Sequence, residues 1–172
     1  MTIGTTPQEV AESIGPGLAR AVVVAKIDGV LKDLNFSIEN DCSLELFTGD
    51  SVEGHDTLLH STAHLMAQAV KDLFPEAKVT IGPTIENGFY YDFDVDIPFT
   101  DEVIQNIENR MKELAKSSQE ISRMEISASD AIKMFDDMGE SYKVEIIKEI
   151  DPNDIISAYT QTSFTDLCRG PH

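Results

Sequence analysis

The strongest constraint on the fold is a change of hydrophobic period near Asp56. From there, apolar side chains recur at spacings of three and four residues: Leu59, Ala63, Met66, Val70 and Leu73. Residues at these spacings lie on one face of a helix, so the pattern predicts an amphipathic helix. Pro75 predicts its end, because proline cannot continue a helix.

The first fifty residues predict a small unit of their own. Thr6 followed by Pro7 predicts the capped start of a short helix, which the glycines and proline at 15–17 should end. Three strands are predicted, at residues 21–27, 30–34 and 44–47. The first two should form a hairpin across Asp28-Gly29. Residues 49–54 are polar and predict a joint between two domains.

The second part of the chain mixes strand and helix signals. Strands are predicted at residues 78–81, 89–93, 155–159 and 164–167, with a turn at Asn87-Gly88. A long helix should begin after a Thr100 cap, and Ser127 with Asp130 resembles a capping box for another helix that ends near Gly139. The mixture predicts an α+β protein.

Two short clusters hold most of the residues with reactive chemistry. The sequence contains four His and two Cys, and three of these His and one Cys occur as His60/His64 and Cys168/His172. Imidazole and thiol groups can titrate near neutral pH or bind a soft metal. A His pair at this spacing is more often incidental, but two such pairs can complete a set of three nitrogens and one sulfur.

The position of the His pair predicts a partly buried site. His60 and His64 lie about 100 degrees around the helix from the apolar stripe, at its edge. We therefore expect both imidazoles in the wall of a cleft. His55 falls in the predicted joint and is expected to be a surface residue.

The charge and hydropathy of the chain indicate where the protein is located and which partners it can bind. Thirteen Lys and Arg against 31 Asp and Glu give a net charge of -18. This is the opposite of a surface built to bind nucleic acid, so any nucleic-acid partner should be held mainly by something else. The absence of a membrane-span pattern or signal-like start predicts a cytoplasmic protein with no membrane partner, and the two separated cysteines should be free thiols.

Four segments carry a family resemblance. They are HSTAH at 60–64, IGPTIENGFYYD at 81–92, SYK at 141–143 and DLCRGPH at 166–172. In this order they resemble the amino-terminal editing domain of threonyl-tRNA synthetase, over residues 55–172. Residues 1–50 resemble the TGS domain, a β-grasp fold, without its first strand or hairpin. The resemblance implies an α/β editing domain with a mainly antiparallel sheet and a long helix bordering a cleft.

The function implied by this resemblance is post-transfer editing, the hydrolysis of serine wrongly attached to the tRNA for threonine. Serine lacks one methyl group of threonine, and one such group in a pocket is worth only about 1–3 kcal/mol of discrimination. The aminoacylation domain of the family, where zinc, ATP and Mg²⁺ are expected, lies outside this sequence. The partners implied are the 3′ end of tRNA carrying serine and the remaining synthetase domains.

The resemblance also implies catalytic residues. His60 is expected nearest the terminal ribose hydroxyl or the attacking water, with His64 and His172 as hydrogen-bonding partners. Lys143 is expected to place a water or offset negative charge, although by residue type alone a solvated helix lysine is the simpler interpretation. Cys168 is expected either to react or to limit the size of the substrate side chain.

Substrate-binding residues are implied as well. Asp166 is expected to hold the amino group of the substrate as an anion facing a cation. Tyr90 and Tyr91 are expected in the core or at the rim, and an exposed ring at one of them would stack on the terminal adenosine.

Two alternatives remain open from the sequence. In the related editing domains of alanyl-tRNA synthetase a similar set holds zinc, with ligands corresponding here to His60, His64, Cys168 and His172. The threonyl family is taken to work without metal, and this is the alternative we favour. The other alternative is a non-catalytic interaction module, in which the β-grasp-like residues 1–50 and the acidic surface would make the contacts.

Overall fold

The computed structural model describes residues 3–86, 88–151 and 154–172. The chain divides into two compact units, of which the first ends at Ser61 and includes Gly170–His172, and the second is Thr62–Arg169. The model combines helices with antiparallel sheets, and this confirms the predicted α+β class. No helix in the described ranges combines the length and apolar character needed to cross a membrane.

Two short helices open the first unit, α1 (Pro7–Ile14) and α2 (Pro16–Ala21). The Thr6 hydroxyl accepts a hydrogen bond from the Glu9 amide at 3.2 Å, and the Glu9 carboxylate accepts one from the Thr6 amide at 2.8 Å. This reciprocal capping box confirms the predicted start of α1. The predicted end of this helix at residues 15–17 is confirmed, since Gly15 follows its last residue. Helix α2 was not predicted; it begins at Pro16, where the missing N–H of proline costs nothing.

The first unit contains one three-stranded antiparallel sheet, in the order β2-β1-β3. The strands are β1 (Val22–Ile27), β2 (Val30–Lys32) and β3 (Leu44–Thr48), as predicted. Asp28 and Gly29 connect β1 to β2 with positive φ values of 48° and 82°. Such angles at both central residues suit the right-handed twist of a two-residue hairpin.

Helix α3 (Val52–Leu73) begins earlier than the period change suggested and contributes residues to both units. The prediction of a joint over residues 49–54 was therefore wrong for its last three residues. Ser51 supports the helix start, since its hydroxyl donates to the Thr48 carbonyl at 2.7 Å and accepts from the Gly54 amide at 3.1 Å. A Cβ at Gly54 would lie 2.0 Å from the Thr48 oxygen, so this tight entry requires glycine.

The second unit adds three helices and seven strands within the described ranges. The helices are α4 (Asp101–Lys116), α5 (Ala128–Asp137) and α6 (Ser141–Glu149). The strands are β4 (Lys78–Val79), β5 (Thr84–Ile85), β6 (Gly88–Phe89), β7 (Phe93–Asp94), β8 (Ile121–Ile126), β9 (Ile156–Gln161) and β10 (Phe164–Leu167). They form a three-stranded sheet in the order β10-β9-β8 and the two pairs β4-β7 and β5-β6.

Most predicted elements of the second unit are present. The caps at Thr100 and Ser127 are confirmed, since each side chain accepts a hydrogen bond from the backbone three residues later. The predicted strand over residues 89–93 was wrong, because β6 ends at Phe89 and β7 begins at Phe93. In the predicted turn before β6, Asn87 lies outside the described residues. Strand β8 and helix α6 were not predicted.

Packing in the second unit positions the later site residues. One buried cluster joins α3 to Tyr91 and β10; its members are Ala63, Ala67, Val79, Tyr91 and Phe164. Another joins α5, α6 and β9; its members are Ala131, Phe135, Val144, Ile147, Ile156 and Ala158. The second cluster holds α6 against the sheet, and α6 carries Lys143 in its first turn.

Candidate functional site

A buried ion pair lies at the centre of the second unit. Lys143 Nζ is 2.6 Å from Asp166 Oδ1, and the two side chains are 4% and 3% exposed. Lys143 belongs to α6 and Asp166 to β10, so packing of this helix near the sheet creates the pair. The interpretation of Lys143 as a solvated helix lysine was therefore wrong, because a carboxylate partner compensates its charge inside the protein.

Asp166 has several further donors around it. Its Oδ1 accepts from the Leu167 amide at 2.8 Å, and its Oδ2 accepts from the Tyr91 hydroxyl in a short hydrogen bond. His64 Nε2 lies 3.8 Å from the same Oδ2. Asp166 is thus already neutralised by a cation of the protein, and a substrate ammonium would share it with Lys143.

Tyr91 remains a hydrogen-bond donor at this site. Burial raises the pKa of its hydroxyl, and the negative charge of Asp166 raises this pKa further. Lys143 Nζ lies 3.5 Å from the hydroxyl oxygen. The phenol therefore keeps its proton and shares it with Asp166 at any pH at which the protein functions.

Gly82 fixes the ring of Tyr91 from one side. A Cβ at Gly82 would lie 2.1 Å from a ring carbon of Tyr91, far inside van der Waals contact. On another side, the Tyr91 ring stacks on Phe93 with centroids 5.1 Å apart. The absence of a side chain at Gly82 lets the ring approach the backbone and directs its hydroxyl to Asp166.

His64 is more buried than the sequence predicted. Its exposed fraction is 5%, and its ring meets Phe164 edge-on with centroids 6.4 Å apart. Its backbone carbonyl accepts a hydrogen bond from Gln161 Nε2 at 3.3 Å. The predicted partly buried position was wrong for this residue, because β9 and β10 cover this side of α3.

His60 and His172 are neighbours in the first unit, and each is half-buried. Their ring centroids are 4.3 Å apart with a tilt of 37°. His172 Nδ1 lies 3.3 Å from the Ser61 hydroxyl oxygen, and its backbone amide donates to Asp33 Oδ1 at 2.8 Å. These contacts hold His172 beside the exposed edge of the His60 imidazole.

The four residues singled out by their chemistry are three histidines and one cysteine, and they are divided between the two units. His60 and His172 belong to the first unit, and His64 and Cys168 belong to the second. Three imidazole nitrogens and one thiolate sulfur are ligands that zinc accepts in proteins. The same side chains can also donate and accept protons.

The two tyrosines predicted to bind substrate differ in exposure. Tyr90 is 46% exposed and Tyr91 is 9% exposed, so a stacking platform for a base fits Tyr90 alone. His55 is exposed, as expected, but it lies on α3 and not in a joint. Ser61, Asp33 and Gln161 support the histidines and carried no signal in the sequence, because their partners are distant along the chain.

The chain is similar to known proteins over nearly its whole length. The TGS domain family matches residues 1–48. Threonine–tRNA ligases from Pelobacter propionicus and Citrifermentans bemidjiense are 53% and 54% identical over 98% of this chain, and the Acetivibrio thermocellus enzyme is 48% identical over 98%. The chain spans about a quarter of the length of these relatives, 26–27%. Residues 1–48 therefore match the TGS domain family, and nearly the whole chain is similar to the amino-terminal part of threonine–tRNA ligases.

Proposed function

We propose that this chain hydrolyses the ester bond of seryl-tRNA for threonine, as the editing region of a threonine–tRNA ligase. The observation that carries the proposal is the buried Lys143–Asp166 pair, hydrogen-bonded to Tyr91 beside His64. A buried ion pair adds little net stability compared with apolar residues of the same volume. Buried charged groups with such partners are typical of functional sites.

The choice of substrate rests on the relatives. Their names assign them the joining of threonine to tRNA. An enzyme with that task must reject serine, which differs by one methyl group and is poorly excluded by a pocket built for threonine. A second site that accepts serine and excludes threonine removes the error after transfer. The present chain is the part of such an enzyme in which we place this second site.

Hydrolysis requires a placed water, a proton acceptor and donors for the oxyanion. We assign His60, which is half-buried, to the attacking water or the terminal ribose hydroxyl, with His172 holding its ring in place. The water oxygen bonds to the ester carbonyl carbon, and the bond from that carbon to the ribose oxygen breaks. The proton lost by the water ends on the ribose oxygen, so the products are serine and tRNA.

The cationic side of the site stabilises the charge that develops on the ester. We assign this role to Lys143, whose ammonium carries three donors and directs one to Asp166 and one to the Tyr91 hydroxyl oxygen. Asp166 keeps Lys143 in place and offers its remaining lone pairs to the substrate ammonium. Cys168 and His64 bound the space for the substrate side chain, and in this proposal they admit a hydroxymethyl group and exclude an added methyl.

A second candidate is a zinc-dependent deacylase, favoured by the ligand chemistry of three imidazoles and one thiol. His60, His64, Cys168 and His172 would hold the ion, and three nitrogens with one thiolate suit zinc. Bound zinc supplies an acidified water and polarises a carbonyl. We favour the metal-free alternative, because the segments that surround the four residues resemble the threonyl family.

The first prediction separates these candidates. The 172-residue chain, at micromolar concentration and low salt, should release serine from seryl-tRNA faster than the buffer alone. Low salt preserves the contacts of Lys and Arg with phosphates, of which we expect few in a protein of net charge -18. Metal content is measured by mass spectrometry after purification without chelator, and the assay is repeated with chelator.

The outcomes are distinct. Release that persists with chelator, from protein with less than one zinc in ten chains, supports the metal-free deacylase. Release that depends on one zinc per chain supports the second candidate and overturns the assignment of His60 to water. If folded protein releases no serine from intact seryl-tRNA, both deacylase candidates are excluded. The remaining alternative is then a non-catalytic interaction module.

A further inference from the structure

Glu140 is a buried acid outside the site described so far. It is 4% exposed, immediately precedes α6, and has a structural contact for each carboxylate oxygen. Its Oε1 is 2.7 Å from Lys71 Nζ, and its Oε2 accepts from the Val79 amide at 3.0 Å. We call this set of contacts, Lys71–Glu140–Val79, the Glu140 clamp.

Lys71 makes the clamp geometrically specific. Besides Glu140, its ammonium donates to the carbonyls of Pro75 at 3.0 Å and Ala77 at 2.9 Å. An ammonium has three donors, and all three have acceptors here. Glu140 is therefore held in one position by the end of α3 and by the segment that follows it.

The backbone of Glu140 connects the clamp to Lys143. The Glu140 carbonyl accepts from the Lys143 amide at 3.1 Å and from the Val144 amide at 3.2 Å. Its own amide donates to the Phe135 carbonyl at 2.8 Å. Glu140 thus determines where the first turn of α6 begins, and Lys143 extends from that turn to Asp166.

The contact with Val79 connects the clamp to the segment that holds Tyr91. The Val79 that donates to Glu140 pairs with Phe93 in the β4-β7 ladder. Beyond Val79 the pairing continues, since the Thr80 amide donates to the Asp92 carbonyl at 3.1 Å and the Asp92 amide to the Ile81 carbonyl at 2.9 Å. These bonds fix the backbone on the carboxyl side of Tyr91.

We propose that Glu140 is a positioning residue that sets both side-chain donors of Asp166, the Lys143 ammonium and the Tyr91 hydroxyl. Lys143 lies on α6 and Tyr91 lies between β6 and β7, yet both regions are bonded to this one residue. The first turn of α6 is bonded to the Glu140 backbone carbonyl, and β4 is bonded to the Glu140 carboxylate through Val79. The alternative is a stabilising ion pair with no effect on the site. The kinetic part of the test rests on the proposed deacylation, and the spectroscopic part does not.

The spectroscopic test uses the full chain with ¹³C-labelled tyrosine rings. The Cζ signal of Tyr91, assigned with Tyr91→Phe, reports its hydrogen bond to Asp166. Glu140→Gln keeps the shape of the side chain but replaces one carboxylate oxygen with an N–H₂ group. This group would face either the Val79 amide or the Lys71 ammonium, and both of these are hydrogen-bond donors, so one contact is lost. We expect the Tyr91 signal to move toward its position in Asp166→Asn.

The matched control is Glu108→Gln, which removes an exposed carboxylate 2.5 Å from Lys112 on α4 and should leave the Tyr91 signal unmoved. If Glu140→Gln does not fold, Lys71→Gln perturbs the clamp from its more exposed end and should move the signal in the same direction. A folded clamp variant with the Tyr91 signal at the wild-type position overturns the proposal.

The kinetic test is a double-mutant cycle. Glu140→Gln should lower kcat for deacylation by about 100-fold with KM unchanged, since small displacements of catalytic groups have effects of this size. In a Lys143→Met background the added loss should be much smaller, because the two changes act through one group. Independent, multiplying losses contradict the proposal. If the wild-type protein does not deacylate seryl-tRNA, the proposed function is excluded. The role of Glu140 as a positioning residue is then tested by the Tyr91 signal alone.

Discussion

Replacing Lys143 with Met should lower the free energy of unfolding by about 3–5 kcal/mol, the range typical of breaking a buried ion pair. The cost arises because Asp166, with a side chain 3% exposed, loses the cation 2.6 Å from its Oδ1 and keeps its negative charge. Tyr91 and the Leu167 amide still donate to Asp166, but neither carries a compensating charge. Denaturant unfolding followed by circular dichroism measures the change.

Two variants test whether the loss comes from the unpaired carboxylate. Lys133→Met breaks an exposed pair with Asp137 on α5, where both side chains are more than half exposed, and should not shift the transition. Adding Asp166→Leu to Lys143→Met should recover much of the stability, since an apolar pair removes the buried charge. A Lys143→Met protein as stable as Lys133→Met would contradict the compensation of charge described for this site.

Replacing His60 with Ala should slow deacylation of seryl-tRNA by about 10²–10⁴-fold, the usual contribution of a positioned acid or base. His60 is half-buried, so its removal should change stability far less than the loss of Lys143 does. Single-turnover rates with protein in excess measure the effect without interference from weak tRNA binding.

His55 provides the matched control for this prediction. It lies on the same helix as His60 and is exposed, so His55→Ala removes an imidazole without touching the site. His55→Ala should keep the wild-type rate. Equal rates for the two variants would exclude His60 from the reaction and move the role of proton acceptor to another member of the cluster.

The elements with local signals were the ones predictable from sequence. The cap at Thr6 and the Asp28-Gly29 turn depend on residues within a few positions of one another, and the structure has both. Strand β8 lacked such a signal, because four of its six residues are exposed and no apolar alternation marks it. Helix α6 was missed because Glu140 precedes it without a side-chain cap, having its carboxylate turned to Lys71 and Val79.

The candidate site was predictable in its members but not in its electrostatics. The spacing of His60 with His64 and of Cys168 with His172 suggested one donor set, and the structure brings the rings of His60 and His172 to 4.3 Å between centroids. The pairing of Lys143 with Asp166 could not be read from spacing, because it depends on how α6 packs near β10. For the same reason, no pattern in the sequence pointed to Glu140.

We propose that the site removes serine and spares threonine. The decisive measurement is single-turnover deacylation of seryl- and threonyl-tRNA, prepared with the same tRNA and measured with the same protein. We expect the seryl ester to be hydrolysed about 10- to 200-fold faster, the range that one methyl group provides. Equal rates, or faster hydrolysis of the threonyl ester, would rule out this specificity.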